Sequence, residues 1–195
     1  MEQGDDIQMW IQEALGGNQY AFQMLYDRFA ARLYRLCYGL VLNQEDAEDV
    51  TQESFVYAFR NLRRFDSNRA SFKTWLYTIA VSRCRNTYRR QVLPMLDISQ
   101  LFLELTAPMT DSPEARFTQS NLNQVIGKAL ATLSPQLREA VILRYGHGLA
   151  YREIAEVMAI PPKTAESRVR FAHEQLKRTL GVQGRGLLDE LLGTT

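Results

Sequence analysis

The amino-acid sequence predicts an all-α protein with two small helical domains joined by a flexible linker, the C-terminal domain containing a helix-turn-helix. Three observations support this prediction. Apolar residues recur every three or four positions through most of the chain, which is typical of amphipathic helices. The alternation and glycine turns of β-hairpins are missing from the sequence. Residues 93–120 interrupt the helical pattern with three prolines, an acidic balance and little periodicity, so they form the predicted linker.

The first predicted domain spans residues 1–92. Between residues 18 and 42, apolar side chains at spacings of three or four indicate one long amphipathic helix or a close pair of helices. Asn43 is a suitable N-cap for the next helix, because acidic residues follow in its first turn, where the helix dipole favours them. This helix is expected to continue to about Leu62, and its inner face would consist of Ala47, Val50, Ser54 and Ala58.

A polar loop and a basic helix complete this domain. Residues Phe65–Ser71 are rich in residues that form turns and caps, and a further helix is predicted over residues 72–90. Between residues 60 and 90 there are nine bases, one acid and several aromatic side chains. Such a mixture suits single-stranded DNA, because basic side chains neutralise phosphates and aromatic rings stack on unpaired nucleobases. For Trp75 and Leu76, whose spacing is helical, a core position is the favoured interpretation.

The second predicted domain spans residues 121–180, and residues 181–195 form a C-terminal tail. Ser134 and Pro135 resemble an N-cap followed by proline at the first helical position. The helix that follows is expected to end near Tyr145 and to bury Leu137, Val141 and Ile142. The leucines and acids of the tail suggest a short amphipathic helix, which would contact a partner or pack on the second domain.

A helix-turn-helix is predicted over residues 149–177. A short helix over residues 151–158 is stopped by Pro161 and Pro162, and a second helix follows. The residues predicted to face inward are Ile154, Ala155 and Met158 in the first helix and Ala165, Val169, Ala172 and Leu176 in the second. A second helix with polar and basic outward residues suits the major groove of DNA, although a purely structural helical hairpin would share this pattern. The residues predicted to contact DNA from this helix are Lys163, Thr164, Glu166, Ser167, Arg168, Arg170, Phe171, His173 and Lys177.

The formal net charge of +1 hides a marked asymmetry along the chain. Residues 45–53 contain five acids and no base, whereas the following basic segment carries a local excess of positive charge. Blocks of opposite charge suggest separate surfaces for separate partners. The alternative interpretation is a solvated helix face without a partner.

Several classes of function are disfavoured. The chain has no run of 18 apolar residues and no basic-apolar leader, so neither membrane insertion nor secretion is expected, and the protein is predicted to be cytoplasmic. Cys37 and Cys84 are interpreted as buried free thiols, with a redox role left open. No metal site, phosphate loop or catalytic constellation is visible. We therefore expect no enzyme activity, no cofactor and no small-molecule substrate.

Four segments together resemble the extracytoplasmic-function (ECF) group of bacterial RNA polymerase sigma factors in the sigma-70 family. Their sequences are NQEDAEDVTQESFVYAFRNLRRF at 43–65, FKTWLYTIAVSRCRNTYRR at 72–90, LSPQLREAVILRYGHGLAYREIAEVM at 133–158 and KTAESRVRFAHEQLK at 163–177. The segments occur in the expected order, and the resemblance covers nearly the whole chain.

The resemblance implies a role for each part of the chain. The first domain would be region 2, which docks on the clamp helices of the polymerase core and recognises and melts the −10-type element. The linker would enter the active-site and RNA-exit channels, and the second domain would be region 4, which reads the −35-type element of promoter DNA. An anti-sigma factor is a further partner that the resemblance implies. A carboxylate-rich helix suits a basic partner face.

The resemblance also implies site residues. Those expected to bind the polymerase are Asp46, Glu48, Asp49, Gln52, Glu53 and Phe55. Those expected to bind and melt the −10-type element are Arg60, Arg63, Arg64, Phe65, Asn68, Arg69, Ser71, Lys73, Arg83, Arg85, Arg89 and Arg90. Within the second set, the loop Phe65–Ser71 would capture a flipped base.

Some residues depart from the family pattern. In the helix-turn-helix the departures are Pro162, Ala165, Glu166, Phe171 and His173. Glu166 would repel phosphate but is able to accept a hydrogen bond from a cytosine amino group. The promoter sequence therefore stays open, and so do the details of base capture, because Arg83 and Cys84 replace a small polar pair.

Two other hypotheses compete with a sigma factor. A stand-alone helix-turn-helix regulator with an N-terminal sensing domain would bind duplex DNA without polymerase. A protein-interaction adaptor without a DNA role would tolerate charge reversal on the last long helix.

Overall fold

The computed structural model describes the backbone of residues 2–90 and 127–191 and the side chains of residues 6–87 and 127–180. The predicted linker 93–120, and the predicted start of the second domain at residue 121, lie outside the described residues. Within the described ranges every regular element is helical, which confirms the all-α prediction.

Four α-helices and one short 3-10 helix build the first domain. The helices are α1 Glu2–Leu15, α2 Gln19–Val41, α3 Gln44–Arg60 and α4 Phe72–Arg90, with the 3-10 helix at Leu62–Arg64. The segment 18–42 is thus one long helix rather than a pair. It begins where the Asn18 side chain accepts a hydrogen bond from the Tyr20 amide, and it ends at Leu42 in the left-handed conformation.

Helix α1 was missed in the sequence. Ile11 and Ala14 are 2% and 4% exposed, and Ile7 packs partly buried on the same side. Their spacing of four and three is helical, so periodicity could have found the helix. The stripe is only three residues long within an acidic, polar segment, which made the signal weak.

The core of the first domain lies between α2, α3 and α4. The predicted inner face of α3 is confirmed, because Ala47, Val50, Ser54 and Ala58 are all buried. As predicted, Asn43 caps α3, since its side-chain oxygen accepts a hydrogen bond from the Asp46 amide at 2.9 Å. The N-cap satisfies a backbone donor that the first turn would otherwise leave unpaired.

Both cysteines are fully buried in this core. A hydrogen bond with Cys37, together with burial, raises the pKa of the Cys84 thiol well above its usual value. A buried, protonated thiol is a poor nucleophile. The structure therefore favours the interpretation of both residues as inert core thiols.

The described part of the second domain contains a helical segment at residues 127–131 and three longer helices. These are α5 Pro135–Val141, α6 Tyr151–Met158 and α7 Pro162–Leu191, and a π-helical turn at Ile142–Gly146 extends α5. Helix α7 runs without a break through residue 181, where the sequence suggested a separate tail. The backbone of the tail up to Leu191 therefore continues the recognition helix.

The helix-turn-helix packs as its spacing predicts. Ile154, Ala155 and Met158 of α6 and Ala165, Val169, Ala172 and Leu176 of α7 are all 5% exposed or less. Between the helices, Ala159 adopts a left-handed conformation with φ of 54°, and the Ile160 amide donates to the Ala155 carbonyl at 3.0 Å. These bonds end α6 before the two prolines redirect the chain.

Helix α5 differs from its prediction. Val141 and Ile142 are buried as expected, but Leu137 is only partly buried, whereas Arg138 and Glu139 are 4% and 2% exposed. The difference arises from tertiary packing. Helix α5 and the π-helical turn contact the first domain as well as their own, and Arg138 and Glu139 lie in the contact between the domains.

Candidate nucleic-acid and protein interfaces

The outer side of α3 forms an acidic surface. Glu48, Asp49, Gln52 and Glu53 are exposed on it, and Asp46 is partly exposed near the start of the helix. Phe55 does not belong to this surface, because it is 2% exposed and packs against Tyr26 and Phe59 with ring centroids 4.8 and 5.6 Å apart. Phe55 is therefore a core residue.

Two apolar residues extend this surface. Val56 and Tyr57 are 49% and 40% exposed, and together with Asp49 and Glu53 they line a groove of about 450 Å³. Neither residue was predicted from the sequence, although they lie three and four residues after Glu53 and so share its side of the helix. We call the exposed residues from Asp46 to Tyr57 on α3 the docking face.

Arg83 borders the docking face. Its guanidinium donates to the Glu53 carboxylate at 2.9 Å and lies 5.0 Å from the centre of the Tyr57 ring. The Glu53 side chain is 63% exposed, so the ion pair itself contributes little to stability. Arg83 was predicted to bind the melted strand, but the structure places it beside the acids of α3.

The loop Phe65–Ser71 forms one wall of a second cavity, of about 480 Å³, which we call the capture pocket. Its lining includes Phe65, Ser67, Ser71 and Lys73 from the first domain. The Phe65 ring is held by edge contact with Phe72 and a tilted contact with Trp75, at centroid distances of 5.6 and 5.4 Å. Trp75 and Leu76 are core residues as interpreted, partly and fully buried respectively.

Local hydrogen bonds shape this loop. The Asn68 amide donates to the Asp66 carboxylate at 2.9 Å, and the Thr74 amide donates to the Ser71 hydroxyl at 3.1 Å. The first bond is an Asx turn and the second caps α4. At 3.3 Å, the Gln8 side chain of α1 donates to the Ser67 hydroxyl, so the missed helix contacts the loop.

The other predicted strand-binding residues do not line the capture pocket, and Arg60 lines the groove of the docking face. Arg60, Arg63, Arg64, Asn68 and Arg69 are exposed. Arg28 and Arg32 of α2 also line the capture pocket. Neither was predicted from the sequence, although their spacing of four places them on one helix face. The backbone of Arg89 and Arg90 ends α4, but their side chains lie outside the described residues.

Arg85 and Lys73 lie towards the second domain. Arg85 makes a bidentate ion pair with Glu139, and Lys73 shares the capture pocket with Glu153. The hydrogen bond with Glu139 raises the pKa of the Arg85 guanidinium above its ordinary value. The structure thus brings two predicted DNA-binding residues to a contact between the domains.

Tyr77 and His147 form a second polar contact between the domains. The Tyr77 hydroxyl and His147 Nδ1 are hydrogen-bonded at 3.0 Å, with the rings in edge contact. Burial raises the pKa of Tyr77 to about 12. Burial, followed by the positive charges of Arg35, Lys73 and Arg32, lowers the pKa of His147 to about 3. His147 is therefore neutral in the docked state at ordinary pH.

The outward side of α7 forms a third surface, which we call the reading face. Lys163, Glu166, Arg170 and Phe171 are exposed on it, and Phe171 is 52% exposed. The Arg170 guanidinium lies 5.3 Å from the centre of the Phe171 ring. The remaining predicted contacts are partly exposed on the same helix: Thr164, Ser167, Arg168, His173 and Lys177. All nine predicted residues thus have side chains that reach the surface to some degree.

No helix in residues 2–90 and 127–191 is both long enough and apolar enough to cross a membrane.

Comparison with known proteins assigns this chain to a class. Residues 25–92 match the family Sigma-70 region 2, and residues 123–176 match the family Sigma-70, region 4. A helical region 2 followed by a helix-turn-helix region 4 defines a transcription initiation factor of the sigma-70 type.

Relatives in other bacteria narrow this class. The chain is 32% identical over 180 residues to the ECF RNA polymerase sigma-E factor of Haemophilus influenzae, covering 89% of this chain and 94% of the relative. It is 31% identical over 180 residues to the RNA polymerase sigma-H factor of Pseudomonas aeruginosa, covering 89% and 93%. It is 28% identical over 187 residues to the ECF RNA polymerase sigma factor SigW of Bacillus subtilis, covering 89% and 96%. The chain belongs to the family of ECF RNA polymerase sigma factors.

Solved structures agree with this assignment. CnrH, solved in complex with the cytosolic domain of CnrY, matches with a TM-score of 0.64 at 25% identity, covering 90% of this chain and 97% of that one. The sigma factor RpoE of Bartonella quintana, solved with the anti-sigma factor NepR, matches with a TM-score of 0.66 at 22% identity, covering 83% and 97%. The likeness to RpoE supports the fold of this chain. Family membership favours promoter-specific initiation with RNA polymerase over the stand-alone regulator.

Proposed function

We propose that the docking face, the capture pocket and the reading face have separate roles in promoter-specific initiation. The docking face binds the clamp helices of the polymerase core, the capture pocket and its surrounding bases hold the melted −10-type strand, and the reading face enters the major groove of the −35-type element. The observation that carries this proposal is that the described side chains of each predicted contact set, apart from the buried Phe55, reach the surface, and all of them except Lys177 lie within the region that matches their family segment.

The docking face suits a basic protein partner with an apolar ridge. Its carboxylates give long-range attraction to a basic surface, which raises the association rate. Val56 and Tyr57 supply exposed apolar area, and tyrosine is enriched among residues that carry binding energy. Arg83, held by Glu53 and Tyr57, would position the acid for its partner rather than contact the DNA strand.

The capture pocket suits an extruded nucleobase. Its volume of about 480 Å³ leaves room for a planar ring beside Phe65, and Ser67 and Ser71 offer hydroxyls to the base edge. Arg28, Arg32 and Lys73 add positive charge at the same place, which suits the phosphates on either side of a flipped base.

The proposed function involves no catalysis by this chain, because the polymerase performs the chemistry. It places the protein in the cytoplasm, where RNA polymerase is found in bacteria. An anti-sigma factor is proposed as a further partner. Support for this partner comes from the complexes in which CnrH and RpoE were solved, with CnrY and the anti-sigma factor NepR respectively.

Run-off transcription tests the proposed function. Purified chain added to RNA polymerase core is expected to start transcription from a small set of genomic fragments, whereas core alone starts from none. Copurification with core gives a second, independent readout. If neither initiation from any fragment nor copurification is observed, the proposal is wrong.

The reading face leads to a prediction about sequence recognition. Arg170→Ala is expected to weaken holoenzyme binding to the upstream duplex about tenfold, because an arginine that contacts a base or phosphate contributes roughly 1–3 kcal/mol. Phe171→Ala is expected to reduce the preference for thymine over uracil at one position, since an exposed phenyl ring packs on the thymine methyl group.

Binding is measured at matched salt on promoter duplexes in which single thymines are replaced by uracil. Arg178→Ala is the control for Arg170→Ala, because Arg178 is exposed on the same helix but outside the predicted set. Equal affinity for wild type and Arg170→Ala would remove Arg170 from the reading face. An unchanged response to uracil in Phe171→Ala would remove Phe171.

A further inference from the structure

Helix α1 lies outside the segment that matches the family Sigma-70 region 2, because that match begins at residue 25. Its inner side packs on the first domain, where Ile11 and Ala14 are 2% and 4% exposed. A helix anchored by buried residues holds its exposed side chains in fixed positions relative to the core. The exposed side chains of α1 are therefore able to take part in a precise binding site.

The turn between α1 and α2 fixes the direction of α1. The Asn18 amide donates to the Glu13 carbonyl at 3.0 Å, and the Gly17 amide donates to the Ala14 carbonyl at 3.0 Å. Gly17 has a left-handed conformation with φ of 92°. The two bonds form a Schellman motif, which ends a helix at a defined residue and leaves a short, specific turn. The first half of α1 reaches the capture pocket, which residues 7 and 8 line.

Gln8 brings a carboxamide to the capture pocket. Its Nε2 donates to the Ser67 hydroxyl at 3.3 Å, and both side chains are exposed where they line the pocket. In this bond the Ser67 oxygen accepts, so the hydroxyl proton is directed away from Gln8 and is able to bond a ligand. The same carboxamide also carries Oε1, which is an acceptor. Gln8 and Ser67 thus present one donor and one acceptor side by side.

The other polar groups of this pocket are suited to different tasks. The Ser71 hydroxyl caps α4, because it accepts from the Thr74 amide at 3.1 Å and lies 2.8 Å from the Thr74 hydroxyl. The three cations that line the pocket favour phosphate oxygens. Glu153 belongs to the second domain, which the proposed function places on the upstream element. Among the described residues of the first domain, Gln8 and Ser67 are therefore best suited to a base edge.

We infer that Gln8 is a specificity-determining residue for the captured base. Gln8 orients the Ser67 hydroxyl, and the two residues together recognise a base that offers an acceptor to Ser67 and a donor to Gln8. Adjacent donors and acceptors of this kind lie on the Watson–Crick edge, which becomes accessible when a base leaves the stack. This inference rests on the proposed role of the capture pocket and adds α1 to it.

The polarity of the bond between Gln8 and Ser67 determines which base edges fit. In Gln8→Glu the new carboxylate only accepts hydrogen bonds, so the Ser67 hydroxyl turns to donate to it. The two residues then present acceptors alone. Guanine offers two adjacent donors on its Watson–Crick edge, N1–H and the N2 amino group, whereas hypoxanthine lacks the amino group. Gln8→Glu is therefore expected to gain a preference for guanine over hypoxanthine.

Selection of single-stranded DNA by the reconstituted holoenzyme tests the inference. Core polymerase with wild-type or variant chain is incubated with oligonucleotides that carry about seven randomised nucleotides, and the bound fraction is sequenced. The variants are Gln8→Ala and Gln8→Glu. Gln12→Ala and Gln12→Glu are the matched controls, because Gln12 is exposed one turn further along α1 and does not line the pocket. Circular dichroism shows whether each variant retains its helices.

The wild-type holoenzyme is expected to select one base at one position of the strand. Gln8→Ala should weaken this selection about threefold to tenfold, which is the effect of losing one hydrogen bond. On a strand with an abasic residue at that position, wild type and Gln8→Ala should bind equally, because Gln8 acts on the base. With guanine and hypoxanthine compared there, Gln8→Glu should favour guanine about fivefold more than wild type does. Both Gln12 variants should match wild type.

Unchanged base selection in Gln8→Ala would overturn the inference. Equal losses of affinity on the intact and abasic strands would also overturn it, since Gln8 would then only support the loop. A guanine preference in Gln8→Glu no greater than that of wild type would contradict the assigned pairing with Ser67. If the wild-type holoenzyme selects no base at any position, the proposed capture pocket itself is wrong, and this outcome is distinct from a failure that is confined to the Gln8 variants.

Discussion

The double charge reversal Asp49→Lys/Glu53→Lys is expected to weaken binding to RNA polymerase core by about 100-fold or more. Both carboxylates are exposed on the docking face, one helical turn apart. Against a basic partner, each reversal replaces an attraction by a repulsion, and like charges placed together at an interface cost several kcal/mol. Because the effect is electrostatic, the loss should be larger at low salt.

Fluorescence anisotropy of labelled chain titrated with core measures this affinity. The control is Asp27→Lys/Glu174→Lys, which makes the same change in net charge at exposed positions outside the docking face. Asp49→Lys/Glu53→Lys should unfold at a temperature close to that of wild type, because the ion pair of Glu53 with Arg83 is largely solvated. Unchanged core affinity in Asp49→Lys/Glu53→Lys would exclude these carboxylates from docking.

Mild acid is expected to separate the two domains through His147. The undocked histidine has an ordinary pKa near 6.5, whereas docking lowers the pKa to about 3. Between these values only the undocked state binds the proton. Docking therefore has its full strength above about pH 6.5 and loses it as the pH falls, by about 2 kcal/mol or 30-fold at pH 5.

The surroundings of His147 explain why the proton is excluded. Its Nε2 is buried and makes no hydrogen bond within the described part of the chain, and its Nδ1 bonds to Tyr77. The charged groups that act on it from α2 and α4 are Arg32, Arg35 and Lys73, which are all positive. A protonated imidazole would therefore be both desolvated and repelled.

Energy transfer between dyes on Asp27→Cys and Thr179→Cys, exposed positions in the first and second domains, is measured from about pH 7.5 to about pH 5 and follows this separation. Wild type should lose transfer as the pH falls. His147→Asn, which keeps a polar side chain but does not titrate, should have the same transfer at both ends of the range. An equal pH response in the two proteins would show that another group is responsible.

Much of the architecture could be predicted because it depends on short-range periodicity. The inward faces of α3, α6 and α7 are set by residues three and four positions apart, and burial of such a stripe is the main driving force for a surface helix. The missed helix α1 shows the limit of this signal, since its stripe of Ile7, Ile11 and Ala14 is short.

The candidate site could be predicted only as far as residue type and helix face allow. The family resemblance implied that Phe55 contacts polymerase, yet its ring is buried against Tyr26 of another helix. Arg83 and Arg85 are both basic residues of α4, but one pairs with Glu53 of α3 and the other with Glu139 of the second domain. Their partners lie 30 and 54 positions away, where periodicity carries no information.

The amino-acid sequence by itself determined the helical class, the helix-turn-helix and the charge asymmetry, because each depends on local spacing or composition. The sigma-factor family was indicated by the resemblance of four sequence segments. Only the tertiary structure decided how the two domains meet. The buried Glu139, the close approach at Gly39 and the neutral His147 are consequences of packing between segments about 50 to 100 residues apart. Desolvation and close contact act between residues that are distant in the sequence. For this reason the sequence could not predict that Arg85 pairs with Glu139 of the second domain.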